Sequence, residues 1–206
     1  PKSHLFETVA NDCFSNNAGE EPWNHEAMSV KMVGLMLQED KAMSTASEHS
    51  ELQDLSDRDE KFIYECILGK DLIALPGAPK KKHSAIGWQG REQGKFYLYD
   101  IVSNVFSGLD TDKIDYLMRD PNALEDGEMR TNFTDRAKVF VQLCHQAQVR
   151  WCMPSEDGDG GEGRWGICWP EDMKDTVNLL FRQRQDMHEH VYNHPDVKAF
   201  ERHYLE

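Results

Sequence analysis

No apolar run in the sequence approaches the roughly 20 residues that a membrane helix needs, so nothing in it reads as a transmembrane helix. Paired cysteines are missing too. Cys13, Cys66, Cys144, Cys152 and Cys168 are odd in number and form no Cys-x-x-Cys pair, which argues against a disulfide framework or a structural zinc site. Buried thiols in a reducing, intracellular compartment, nucleus or cytoplasm, are the expectation. Positive charge is scarce. With 23 Lys and Arg against 37 Asp and Glu, the formal charge of −14 argues against nucleic acid as a partner, because a phosphate-backbone footprint needs many clustered cations. An acidic chain that handles a polyanion must do so locally, with a metal and a few placed cations. There is no repeat at a solenoid period and no readable signal peptide. The opening Pro1-Lys2-Ser3-His4 has no initiator methionine, and a segment upstream of it is expected.

The 206 residues, 39% hydrophobic and 29% charged, have the composition of one globular domain with a real core. Trp23, Ala27, Val30, Met32, Leu35 and Met36 recur at helical spacing over 23–38. Ser56-x-x-Asp59 has the form of a capping box ahead of the stripe Phe62, Ile63, Cys66 and Ile67, with Gly69 where a C-terminal cap belongs. Residues 74–95, rich in Gly, Pro and Lys, read as a surface loop. Helical pattern returns over 96–106 and 111–120, and a final helix is predicted from about 171 to Pro195. Val149-x-Trp151-x-Met153 and Trp165-x-Ile167-x-Trp169 place apolar residues at every second position, as strands do. The acidic, glycine-rich 155–163 between them lacks the ligand spacing of a calcium loop and reads as a hairpin tip. A third strand is expected over 138–146. The fold class is therefore mainly α, with a small antiparallel β meander at about 138–169.

Two constellations carry candidate chemistry. After Asp110, a helix cap, the residues Asp112, Tyr116 and Asp120 drift by only about 40° per step and share a face with Lys113. Arg184, His188 and Tyr192 recur in the same way before Asn193, His194 and the helix-ending Pro195. An Arg, a His and a Tyr facing one way can hold phosphate oxygens and stack on a base. Spacing alone leaves the solvated helix face as the prevailing reading of both. His4 and His25 sit in apolar contexts, where a lone histidine is more often a hydrogen-bonded structural residue.

Ser3-His4-Leu5-Phe6-Glu7, Trp23-Asn24-His25-Glu26, and Tyr99-Asp100-Ile101-Val102-Ser103-Asn104 running into Gly108-Leu109-Asp110-x-Asp112-Lys113-x-Asp115-Tyr116 and Arg119-Asp120 form one ordered series. Arg184, His188 and Tyr192-Asn193-His194 continue it. The series resembles the SAM-and-HD-domain deoxynucleoside triphosphate triphosphohydrolases over nearly the whole chain, with 74–95 and 155–164 as loop insertions. The central block carries the specificity; Ser-His-x-Phe alone would be weak.

The resemblance implies an HD-type helical fold and hydrolysis of a deoxynucleoside triphosphate at the α-phosphorus, giving deoxynucleoside and triphosphate. It implies a divalent metal, Mg, Mn, Fe or Zn, with Asp112 as a ligand, and self-association into a homo-oligomer. Lys113 and Arg184 would hold phosphates, and His4 would contact the phosphate near the attacked centre. His25 would be the general acid, oriented by Glu7 where the family more usually has Asp. Tyr116 would exclude a 2′-hydroxyl, Asp120 would accept from the 3′-hydroxyl, and Tyr192 would pack beside the nucleoside. The sequence has no His-Asp doublet, which in the family supplies metal ligands, so the resemblance implies a partial HD-type domain whose remaining ligands lie upstream. Acid at Pro170-Glu171-Asp172 stands where the family's regulatory nucleotide site has cations, and Arg136 is the one basic residue that fits that site. An HD phosphohydrolase for another nucleotide or phosphoester, and a degenerate HD-fold scaffold subunit, are the alternatives.

Overall fold

Asn24 opens the first helix by accepting the amide of Ala27 on its side chain at 2.7 Å, satisfying a donor that the helix start leaves orphaned. In this computed structural model the described residues are 7, 9–11, 23–44, 55–69, 87–104, 106–153 and 163–203, with 41–44 as backbone alone. The first helix, α1, is His25–Ser44 and packs on α2, Asp57–Leu68. The capping box is present in both directions, Ser56 accepting from the Asp59 amide and Asp59 accepting from the Ser56 amide. Gly69 closes α2 at φ 49°, a conformation that suits glycine.

Short α3, Tyr97–Val102, follows a 3₁₀ turn at Gln93–Lys95. Within the segment predicted as a loop, residues 87–90 are pinned down. Gly90 lies so close to α2 that an added Cβ would meet the Phe62 backbone nitrogen at 2.4 Å. Trp88 stacks on Tyr99, ring centroids 4.0 Å apart, and Phe62 and Phe96 close this small core. Residues 74–86 of the predicted loop are outside the described residues, as are 155–162 of the hairpin tip.

Asp110 caps α4, Thr111–Arg119, and a 3₁₀ turn Asp120–Ala123 follows. Then come α5, Gly127–Ala137, and α6, Val141–Gln146. Strands β1, Gln148–Cys152, and β2, Arg164–Cys168, pair antiparallel with Val149 opposite Ile167 and Trp151 opposite Trp165. Helix α7, Lys174–Met187, runs into a π-helical turn His188–Tyr192, and α8, Pro195–His203, comes after it. The main core joins α4 to α7 through Leu109, Leu117, Phe140, Leu143, Leu180 and Met187, each 2% exposed or less. Each such side chain contributes about 1.5–3 kcal/mol of hydrophobic stabilisation.

The mainly α architecture with a small antiparallel sheet is the one expected, and the structure sharpens its parts. The sheet has two strands among the described residues, and the strand expected over 138–146 is helical instead. Phe140 and Leu143, three apart and both fully buried, make a helical stripe that alternation cannot make. The predicted last helix breaks at the π turn before Pro195, and α8 lies beyond it. The stripe Met32, Leu35 and Met36 on α1 points outward, while Leu37 beside it is buried.

The hairpin also turns its apolar face outward. Val149, Trp151 and Trp165 are more than 40% exposed, and the opposite face, with Arg164, Gly166 and Cys168, lies over α3. There the fully buried Asp100 accepts from Arg164 at 2.7 and 2.8 Å and from the Ile167 amide at 3.1 Å. Phe106 lies under the Arg164 guanidinium, 3.6 Å from its ring centroid. Burial pushes the Asp100 carboxyl up, and Arg164 pulls against that. Polar pairing therefore decides which face of this hairpin turns inward.

Candidate functional site

The two constellations meet across the seam between α4 and α7. Asp112, Lys113 and Tyr116 lie on α4 and Asp120 begins the turn that follows it. Arg184 lies on α7, with His188 and Tyr192 bounding the π turn. The Tyr192 hydroxyl donates to Asp120 at 2.7 Å. Its ring stands edge-on to those of Tyr116, at 6.5 Å, and His188, at 5.1 Å. Arg184 lies close enough to Tyr116 for its charge to act on the phenol. The pattern of fours that marked each helix face thus places an arginine, a histidine, two phenols and a carboxylate in one patch.

Electrostatics in the patch follow from burial. It pushes the Tyr116 phenol up, with Arg184 opposing and Asp112 adding to the rise. The Tyr192 phenol is raised first by burial and then by its bond to Asp120. Burial also lowers His188, and the neighbouring Arg184 charge lowers it further, so the imidazole is held toward its neutral form. Arg184 Nε is buried and meets no hydrogen-bond partner among the described residues.

Lys113 is less free than its place in the motif suggests. Its ammonium lies 3.2 Å from Asp110, which also caps α4 through the Lys113 amide. Asp110 accepts the Asn104 amide as well, tying the Asn104–Asp110 turn to the helix start. Asp112 shares this end of α4, but among the described residues no group of three or more His, Cys, Asp or Glu comes together as a metal site.

His25 stands at the start of α1 between two carboxylates, Nδ1 2.9 Å from Glu7 and Nε2 2.9 Å from Glu26. Only the doubly protonated ring donates to both. Glu7 is thus placed to orient His25, and Glu26 is a partner to which the sequence reading assigned no role. Its adjacency to His25 was the one available signal. His4 lies outside the described residues. A cleft of about 380 Å³ is lined by Phe133, Arg136, Asp186 and His190 among others. Asp186 and His190 are each two residues on from Arg184 and His188, about 200° around a helix, so this cleft lies away from the patch. Its Arg136 is paired with Asp186 at 2.8 Å.

Among the described residues no helix is long and apolar enough to cross a membrane. No family model matches the chain. Curated relatives do. The deoxynucleoside triphosphate triphosphohydrolase SAMHD1 of Mus musculus is 28% identical over 196 residues, 94% of this chain and 27% of the relative. The Homo sapiens protein of that name is 27% identical over 85% of this chain and 24% of its own length. A SAMHD1 homolog from Dictyostelium discoideum is 28% identical over 98% of this chain and 29% of its own length. The chain thus spans about a quarter of the length of the relatives it matches. Low but consistent identity across animals and an amoeba, over nearly all of the chain, makes it similar to one segment of the SAMHD1 deoxynucleoside triphosphate triphosphohydrolases.

Proposed function

We propose that the α4–α7 seam is the sugar and phosphate wall of a site that hydrolyses deoxynucleoside triphosphates to deoxynucleoside and triphosphate. The observation that carries this reading is the convergence of Tyr116 and Asp120 with Arg184, His188 and Tyr192, residues 64 or more apart in sequence. Arg184 supplies a forked cation for phosphate oxygens, and Lys113 a point charge once it leaves Asp110. Tyr116 fills the space of a 2′-hydroxyl. Asp120 accepts from a 3′-hydroxyl, sharing or giving up its bond to Tyr192. His25, with Glu7 behind it, donates the proton to the leaving 5′-oxygen, and His4 contacts the phosphate.

The described residues do not fit a resident divalent metal. Asp112 is a lone carboxylate there, and one carboxylate binds such ions weakly, so no step is derived through a metal. The second reading is a degenerate HD-fold subunit that keeps the nucleotide patch without turnover. Self-association belongs to the proposal as well, and light scattering reads it directly.

Equilibrium binding of dGTP and GTP to the chain tests the site. The deoxynucleotide should bind more tightly, and Arg184→Ala should weaken it at least about tenfold, as loss of a charge-assisted phosphate contact does. Equal and unchanged affinities in wild type and variant would return the α4 and α7 faces to ordinary solvated surface.

A further inference from the structure

Helix α4 ends against a proline that cannot complete it. The carbonyl of Leu117 would ordinarily accept the amide of residue 121, four positions on, but Pro121 has no amide hydrogen. The other carbonyls of the last turn are met locally. Tyr116 accepts from the Asp120 amide, and Met118 and Arg119 accept from the Asn122 side chain at 3.0 and 3.1 Å. Leu117 is met from across the seam, by the Gln183 side-chain amide at 3.0 Å. All three of Leu117, Pro121 and Gln183 are buried, Leu117 and Gln183 completely. An unpaired carbonyl there has no water to turn to, so the bond is costly to lose.

We infer that Gln183 is a positioning residue for the candidate site, standing in for the amide that Pro121 lacks and fixing the register of α4 against α7. The inference rests on the nucleotide reading above. Leu117 directly follows Tyr116, and Gln183 directly precedes Arg184, so the bond sits one residue from each side of the Tyr116–Arg184 contact. Asp120, which accepts the Tyr192 hydroxyl, directly precedes Pro121. A slip at this joint displaces the sugar-facing and phosphate-facing groups together. A carbonyl acceptor also fixes the amide orientation, leaving Gln183 Oε1 as the atom with no donor among the described residues.

The test is a cycle built on the missing amide. Gln183→Leu keeps bulk and removes the donor; Pro121→Ala restores the amide that can bond Leu117 within the helix. Hydrogen exchange of the segment 115–124 and binding of a non-hydrolysable dGTP analogue are followed in both single variants and the double variant. Gln183→Leu should speed exchange in that segment and weaken the analogue about tenfold, and adding Pro121→Ala should reverse both. A purely structural Gln183 would lower the melting temperature of the single variant and leave the affinity of its folded fraction unchanged, which would overturn the inference. Should Gln183→Leu fail to fold, the double variant decides: a folded, analogue-binding double supports the role, and an unfolded one refutes it. If the wild-type chain binds no analogue, the nucleotide reading fails by itself. The exchange cycle then still decides whether Gln183 holds the end of α4.

Discussion

The junction of α3 with the hairpin and the seam of α4 with α7 are both built from polar groups, and they are built to opposite specifications. At the first, Asp100 is fully enclosed and takes two contacts from Arg164 and one from a backbone amide. Nearby, buried Glu65 accepts from the Tyr99 hydroxyl and from the Gln89 and Gly90 amides. Every such contact joins elements distant in sequence, and both acids are saturated. At the seam the aromatic and ionic groups are half-buried, and a buried nitrogen of Arg184 has no partner among the described residues. Saturated polar groups make a joint. Groups left short of partners at a half-open surface make a place where a ligand can supply them.

The sharpest way to break this comparison is Asp100→Ala. Removing one partner of a buried ion pair strands the other, at a cost of about 3–5 kcal/mol. The urea midpoint should fall steeply, and dGTP affinity in the folded fraction should stay put. A midpoint close to wild type would mean that the Arg164 contact is idle, and a selective loss of affinity would move the site onto the hairpin.

A second, smaller effect is asked of the seam. Tyr116→Ala opens the space assigned to the missing 2′-hydroxyl and removes an aromatic neighbour of Tyr192. Steric rejection of a single group is worth about 1–3 kcal/mol, so the dGTP to GTP affinity ratio should shrink by roughly tenfold or more, with little change in stability. Competition binding of the two nucleotides measures the ratio. A ratio unmoved by the substitution removes Tyr116 from sugar recognition and leaves it as packing.

What the sequence made legible follows the range of each interaction. The box at Ser56 and Asp59, the cap at Asp110 and the shared face of Asp112, Tyr116 and Asp120 are written within a few residues of one another. Local spacing suffices for them. The inward face of the hairpin was not legible, because alternation said only that Trp151 and Trp165 share a side. Which side turns in depends on Asp100, 64 residues before Arg164. The helix at Val141–Gln146 was hidden for another reason, since Val139 and Val141 carry strand propensity while burial of Phe140 and Leu143 imposes the helical period. For the site, each face could be read in its own segment. Their meeting, and the service that Gln183 gives to Pro121, required the fold.

The smallest effect lies outside both regions, at the α2 cap, and it sets the scale for an exposed polar contact. The Ser56 hydroxyl, then the Ser56 amide, then the Arg91 guanidinium hold the Asp59 carboxyl down to about 2, against an ordinary value near 3.8. Because the folded value is the lower, the unfolded chain binds more protons between these two limits, and stability falls as the pH falls through them. The contribution is fully present above about pH 4 and is gone below about pH 2. Asp59→Asn never has it. Melting temperatures of wild type and variant should therefore differ slightly at neutral pH and converge as the pH approaches 2, solvent screening at this partly exposed position keeping the gap small. A gap that held constant across that range would show that the carboxylate charge does nothing at this cap, and that the Ser56 hydroxyl and the backbone close it unaided.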